Sequence, residues 1–145
     1  MNDSSILGPV VALVAWSLVM MLWMVATRFP AMKRKGISLK GRRGGRGAQL
    51  DGVVEDQVQW KAHNYNHLME QPTLFYAIAL ALALMGFGGG INLWLAWAYV
   101  AFRILHSLIQ ATVNIVLWRF LAFTGGTLCL IGLTVHAAAF MLHRM

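Results

Sequence analysis

The sequence predicts an all-α membrane protein, a bundle of four transmembrane helices with both termini on the same, outer side. The 145 residues are 59% hydrophobic and only 12% charged, with a mean hydropathy of +0.62, which is unlike a soluble domain. The apolar residues fall into four long runs, close to the length that a membrane-spanning helix requires. Nine of the twelve Lys and Arg residues lie between positions 28 and 61, as the positive-inside rule expects of a cytoplasmic loop.

We predict a single membrane domain over residues 1–145, with its elements in a simple order. The acidic start and the uncharged run of residues 6–27 indicate a retained span, not a cleavable signal peptide. A flexible, basic and glycine-rich loop follows. The predicted elements are a first span at about 6–28, the cytoplasmic loop at about 29–58, and further spans at about 62–87, 91–117 and 120–142.

The second span is too short unless it extends backward through a proline. Its purely apolar part, residues 73–87, has 15 residues, which gives about 22 Å of helix against a hydrocarbon core of roughly 30 Å. Glycines 88–90 prevent a forward extension. The helix therefore runs back through Pro72, where we predict a kink, and brings Asn66, His67 and Glu70 towards the membrane.

A polar stripe lies on one face of the third span. A membrane-buried arginine costs about 3 kcal/mol or more, so Arg103 is expected to face the bundle interior or a wet site, with Glu70 as its partner across the helix pair. The pattern predicts a site for an anionic ligand between helices. Within an arc of about 100° the stripe contains Arg103, His106, Ser107, Gln110 and Asn114.

Two motifs resemble those of the MAPEG family, the membrane-associated proteins in eicosanoid and glutathione metabolism. Residues 66–76 read NHLMEQPTLFY, which resembles the Asn/Glu/Pro/Phe signature that opens the family's second helix. Residues 103–107 read RILHS, which resembles its third-helix Arg-x-x-His-Ser/Thr motif. Arg119 follows Arg103 by sixteen residues, the separation of the third-helix and catalytic arginines in the prostaglandin synthase branch. The resemblance covers roughly residues 61–120 and the four-span layout.

The resemblance implies a homotrimer that holds glutathione, as cosubstrate, between neighbouring protomers in a site open to the cytoplasm. Glu70 would take the glutathione amino group, and Arg119 would be catalytic by stabilising the thiolate. No metal ligand is implied. The residues that would hold the glutathione carboxylates or shape the pocket are Asn66, His67, Arg103 and His106, with Gln110 and Asn114 further along the same stripe.

The function implied is that of a glutathione-dependent membrane enzyme, of transferase or peroxidase type, acting on a lipophilic small molecule. We expect a prokaryotic-type member in the cytoplasmic (inner) membrane, in contact with membrane lipids and with no nucleic-acid partner. Two positions depart from some eukaryotic members. Gln110 stands where they have a pocket tyrosine, and Asn66-His67 stands where they have an Arg-Asn pair.

Other functions remain open at the level of sequence. Histidines on several spans, namely His67, His106 and His136, would suit the axial ligands of a haem-binding subunit. A small proton-coupled exporter would use Glu70 as its carrier, although the arginine-histidine stripe does not suit a cation carrier. A non-catalytic subunit of a larger membrane complex is the third alternative. In such cases Arg103 would be a structural ion-pair partner and Arg119 an interfacial anchor.

Overall fold

The computed structural model describes residues 4–144, a chain of helices without a strand in that range. The predicted all-α class is therefore confirmed. A short 3₁₀ turn, Gly47–Leu50, lies in the loop after the first helix. The helices are α1 (Leu7–Arg34), α2 (Asp56–Leu68), α3 (Pro72–Leu84), α4 (Ile91–Thr112) and α5 (Val116–Leu142).

Three stretches of the described chain are long and apolar enough to cross a membrane, namely Leu7–Arg34, Asp56–Leu84 and Val116–Leu142. The second of these joins α2 and α3. The remaining helix, α4, has 22 residues, which at about 1.5 Å per residue gives about 33 Å, also enough for the hydrocarbon core. Its polar stripe lowers its hydropathy, and it packs against α5, α1 and α2.

The helix α1 continues past the predicted end of the first span at residue 28 and stops at Arg34. The cause is packing, because Ala31 and Met32 are buried against Leu50 and Val54 from the following loop. This small apolar cluster gives the last turns of α1 a partner outside the main core. The loop that we expected to be flexible is therefore folded onto the helix.

Hydrogen bonds around Gln59, at the start of α2, also hold this loop. Its side-chain amide donates to the Gly47 carbonyl (3.2 Å) and to the Asp51 carboxylate, and its oxygen accepts from Nη2 of Arg28 (3.1 Å). Nε2 of His63 lies 3.0 Å from Oδ1 of Asp51. The hydrogen bonds from Gln59 and His63 hold the pKa of the Asp51 carboxyl below its usual value.

The second span is interrupted between α2 and α3, at the proline where the sequence predicted a kink. Pro72 is the first residue of α3, a position where its missing N–H is harmless. Side chains of two other helices form hydrogen bonds with Gln71, which lies in this interruption. Tyr99 Oη donates to Oε1 of Gln71 (3.3 Å), and Nε2 of Gln71 donates to Oγ1 of Thr127 (2.9 Å). Because α4 and α5 supply these groups, the break is tied into the bundle.

The connection from α4 to α5 differs from the one predicted. We expected the third span to run to residue 117 and the fourth to begin at residue 120, but α4 ends at Thr112 and α5 begins at Val116. The reason is the left-handed backbone of Asn114 (φ 53°), which a right-handed helix does not continue through. Arg119 consequently lies in the first turns of α5, not in the connection.

The most extensive helix packing is between α4 and α5. Gly125 makes it possible, since a Cβ atom at that position would lie 2.6 Å from Cε1 of Phe102. At the neighbouring Gly126 the closest side-chain atoms would be 3.6 Å from a Cβ, an ordinary contact. The two adjacent glycines therefore differ in how much space their neighbours leave.

We expect Gly125→Ala to lower the free energy of unfolding of the detergent-solubilised protein by about 1–3 kcal/mol, and with it the melting temperature, because overpacking forces Phe102 to move. The matched control is Gly126→Ala, which should leave stability unchanged or raise it, because alanine is the better helix former. Thermal unfolding followed by tryptophan fluorescence compares them. Equal melting temperatures for the two variants would contradict the close approach at Gly125.

Candidate functional site

The polar stripe of α4 faces the inside of the bundle. Arg103, His106 and Ser107 are buried, whereas Leu105 and Leu108, on another face of the same helix, are 49% and 41% exposed. Gln110 is buried as well. The helix thus directs its polar side chains inward and its leucines outward, which is the orientation that the cost of a lipid-facing arginine requires.

Arg103 binds the interrupted second span. It is fully buried, and its Nη2 donates to the carbonyl oxygen of His67 (3.0 Å) and lies 2.9 Å from Nδ1 of the same residue. For that nitrogen to accept, the neutral imidazole carries its proton on Nε2. One guanidinium nitrogen therefore fixes both the backbone and the ring of His67.

The predicted ion pair between Arg103 and Glu70 is wrong. In the described chain the ion pairs within 4 Å are Arg34–Glu55 and His63–Asp51. Glu70 follows the end of α2, and its exposed carboxylate is within Coulombic range of Arg103 and His67 without touching either. Arg103 takes the carbonyl oxygen at the helix break as its acceptor instead.

The two histidines of the predicted site stack on each other. The ring centroids of His67 and His106 are 4.7 Å apart with 17° between their planes, and Phe123 of α5 meets the His67 ring edge-on at 5.6 Å. Stacked rings do not direct their nitrogens at one iron from opposite sides, so this pair does not suit an axial haem pair within a protomer. His136, the third histidine of the haem alternative, lies elsewhere in the bundle, with its Nδ1 2.7 Å from Oδ1 of Asn92 on α4.

An open cavity of about 300 Å³ lies where α2, α4 and the first turns of α5 meet. Its size is at the lower end of the range for small-molecule sites. The helices α2 and α4 contribute polar side chains, and α5 contributes an arginine together with aromatic and aliphatic side chains. The lining residues are His67, His106, Gln110, Val116, Arg119, Phe120 and Phe123.

Arg119 reaches this cavity from the beginning of α5. Its Nη1 donates to Oδ1 of Asn114 (2.7 Å), the residue whose left-handed backbone separates the two helices. Asn114, predicted as a binding residue, is therefore not part of the cavity wall, and its amide instead positions the arginine. The site also lies near a helix N-terminus, whose free N–H groups favour an anion.

Several buried polar atoms on the α4 stripe and on Arg119 lack a hydrogen-bond partner within the described residues. Such atoms are rare in native proteins and call for a water molecule or a ligand. They belong to four side chains of the predicted site and to one neighbour on the stripe. The atoms are Nε and Nη1 of Arg103, Nδ1 of His106, Oε1 of Gln110, Nε of Arg119 and Oγ of Ser107.

The structure separates the predicted residues into two groups. His67, His106, Gln110 and Arg119 line the cavity, and Arg103 lies behind the histidines. Asn66 and Glu70 are exposed on the outside of the protomer.

The sequence interpretation missed the α5 wall, Val116, Phe120 and Phe123. Together with Arg119 these positions follow the i, i+3, i+4, i+7 spacing of one helix face. That signal was available, but we had placed the start of the helix four residues too late. The interpretation also missed Asn64, which is fully buried on α2 with no side-chain partner among the described residues.

Comparison with protein families matches residues 6–139 to the MAPEG family. The match covers nearly the whole chain, so this protein belongs to the MAPEG family. Comparison with functionally curated proteins finds no match. Comparison with solved structures finds none either. Family membership and the three apolar stretches make it an integral membrane protein.

We expect Asn114→Gly and Asn114→Ala to separate the two roles of this residue. Both variants lose the acceptor for Arg119. Glycine adopts a positive φ without strain, whereas alanine adds roughly 1–2 kcal/mol of backbone strain. Thermal unfolding in detergent should therefore place Asn114→Ala below Asn114→Gly. The reverse order would show that the left-handed conformation is not maintained in the folded protein.

Proposed function

We propose that this protein is a glutathione-dependent membrane enzyme, of transferase or peroxidase type, that activates a thiol for attack on a lipophilic electrophile. The observation that carries the proposal is the cavity at the start of α5. There Arg119 lines the same cavity as His106, Gln110 and two phenylalanines, Phe120 and Phe123. A small anionic ligand with a less polar centre suits such a site, and family membership points to glutathione.

The proposed role of Arg119 is to stabilise the glutathione thiolate. A nearby cation lowers the pKa of a thiol, and the thiolate is the reactive nucleophile. Arg119 is held by Asn114 and shares its cavity with Phe120 and Phe123, so its guanidinium is positioned beside apolar side chains. The thiol would give its proton to water. The thiolate sulfur would then form a bond to the electrophilic atom of the substrate as the bond to the leaving group breaks, and the leaving group would take that electron pair and be protonated by water. No cysteine of the protein is required, since Cys129 is buried in the core on α5.

Arg103, His106, His67 and Gln110 would bind or orient the carboxylates. Arg103 would act through its charge and through His67, because it is fully buried and does not line the cavity itself. Glu70 and Asn66 would bind from outside the protomer. Both are exposed, which supports a site shared with a neighbouring chain and, with it, the homotrimer implied by the family resemblance.

An apolar route for the second substrate lies beside this site. A groove of about 640 Å³ runs between α3 and α5 and is lined mainly by aliphatic side chains, with Gln71 and Thr127 among its polar ones. A lipophilic molecule partitions into the bilayer and would reach such a groove from there. The polar cosubstrate would come from the aqueous side.

We propose a four-span topology in the inner membrane, with the basic loop facing the cytoplasm and both termini outside. The length of α4 and its packing against α1, α2 and α5 support its role as the fourth span. Because Arg119 and the loop lie at the same predicted end of the bundle, their positive charge would attract an acidic cosubstrate.

We expect Arg119→Ala to reduce glutathione-dependent turnover of a model electrophile by about 100-fold or more, the typical loss when one charge-stabilising donor is removed. The matched control is Arg144→Ala, which removes an arginine stacked on Phe140 at the far end of α5. Conjugate formation is measured on detergent-purified enzyme whose assembly is checked by size-exclusion chromatography. Wild-type turnover in Arg119→Ala would remove Arg119 from the mechanism.

We expect Glu70→Gln to weaken glutathione binding about tenfold, because a charged hydrogen bond to the ligand amino group contributes roughly 1.5 kcal/mol or more. Calorimetric titration compares it with Glu55→Gln, which alters a loop carboxylate paired with Arg34 instead. N-acetylglutathione, whose amino group is blocked, should bind the wild type and Glu70→Gln equally. A wild-type glutathione affinity in Glu70→Gln would refute this role.

A further inference from the structure

A further cavity, lined by arginines and by apolar side chains, lies in the basic loop, away from the cavity at the start of α5. We propose that it binds an anionic membrane phospholipid, with arginines on the phosphate and apolar side chains against the start of an acyl chain. The cavity measures about 420 Å³ between the inner end of α1 and residues 37–53. Nothing in this proposal depends on glutathione binding.

One wall of the cavity is cationic and contains no acidic residue. Arg28, Arg42 and Arg46 all contribute to it. Neither Arg42 nor Arg46 belongs to an ion pair within the described chain. Asp51 lies near Arg28, but its carboxylate accepts from Gln59 and contacts His63. The arginines therefore keep charge and donors for a phosphate, which arginine binds well.

The other wall is apolar and open to the surroundings. Phe29, Leu39 and Val53 line the same cavity and are 50%, 60% and 46% exposed. An inorganic phosphate would satisfy the arginines and leave these side chains uncovered. A phospholipid covers both walls with one molecule, and for that reason we commit to a lipid.

The cavity lies at the depth of lipid headgroups. The 28 residues of α1 give about 42 Å of helix, longer than the roughly 30 Å hydrocarbon core. Arg28 is the first charged residue after the uncharged run 6–27. The last turns of α1 therefore extend into the headgroup layer, where anionic lipids attract nearby arginines.

The backbone at Gly47 gives a way to move one arginine without changing any charge. A Cβ atom at Gly47 would lie 3.0 Å from Nη1 and 3.3 Å from Nη2 of Arg28. The Arg28 guanidinium, which donates to Gln59 at 3.1 Å, would have to move by a few tenths of an ångström. Gly47→Ala thus tests the geometry of the pocket separately from the charge of the loop.

The experiment is calorimetric titration of the purified full-length protein with dihexanoyl-phosphatidylglycerol, a short-chain anionic lipid. We expect saturable binding, weakened about tenfold by Arg42→Gln and about tenfold by Arg46→Gln, since each variant loses a charged hydrogen bond to the phosphate. The matched control is Arg43→Gln, the same charge change at a neighbouring residue that does not line the cavity. It should bind as the wild type does.

Other ligands and variants decide between a pocket and diffuse attraction. Dihexanoyl-phosphatidylcholine, with the same chains and no net charge, should bind at least tenfold more weakly. Gly47→Ala should weaken phosphatidylglycerol binding while eluting as the wild type does. An equal loss in Arg43→Gln would overturn the pocket in favour of general loop charge. Inorganic phosphate binding as tightly as the lipid would overturn the lipid as the occupant.

Discussion

The fold depends on how one buried arginine is satisfied. Arg103 is fully enclosed by the bundle and donates to the carbonyl oxygen and ring of His67. A continuous helix would offer it few free backbone acceptors, because each carbonyl is already bonded within the helix. At the interruption before Pro72 the His67 carbonyl keeps only a long backbone bond, from the Glu70 N–H at 3.3 Å, and it also accepts from Arg103 at 3.0 Å. The helix break and the buried charge therefore depend on each other.

This interaction also builds the site. Because Arg103 fixes the His67 ring, that ring stacks on His106, and Phe123 closes against it from α5. The stack forms the floor of the cavity that Arg119 enters from the other side. Arg103 thus acts on a ligand mainly through the histidines it holds and through its charge. The residue that meets the ligand's reactive atom in our proposal is Arg119, which a turn residue positions.

Positively charged side chains are concentrated at two places in the protein. Inside the bundle, positive groups gather around a small cavity and leave several donors without partners among the described residues. At the inner end of α1, arginines lie on a loop that is folded over its own small apolar cluster. Both places favour anions, but the first lies between helices and the second lies between the end of α1 and the loop. The second has its exposed apolar side chains where lipid headgroups and the start of an acyl chain are expected, so the two sites suit different ligands.

The sequence by itself determined the class, the four apolar runs, the break at Pro72 and the inward stripe of α4. These follow from local rules, namely length against membrane thickness, the missing N–H of proline and the cost of a lipid-facing charge. It also identified the four polar side chains of the cavity wall. Only the tertiary structure decided that Arg103 binds a carbonyl oxygen and not Glu70, and that Asn114 turns the chain so that Arg119 lies in the first turn of α5. The partner of a buried charge is the acceptor that lies closest to it in the folded protein. The spacing of residues along the chain does not determine that distance.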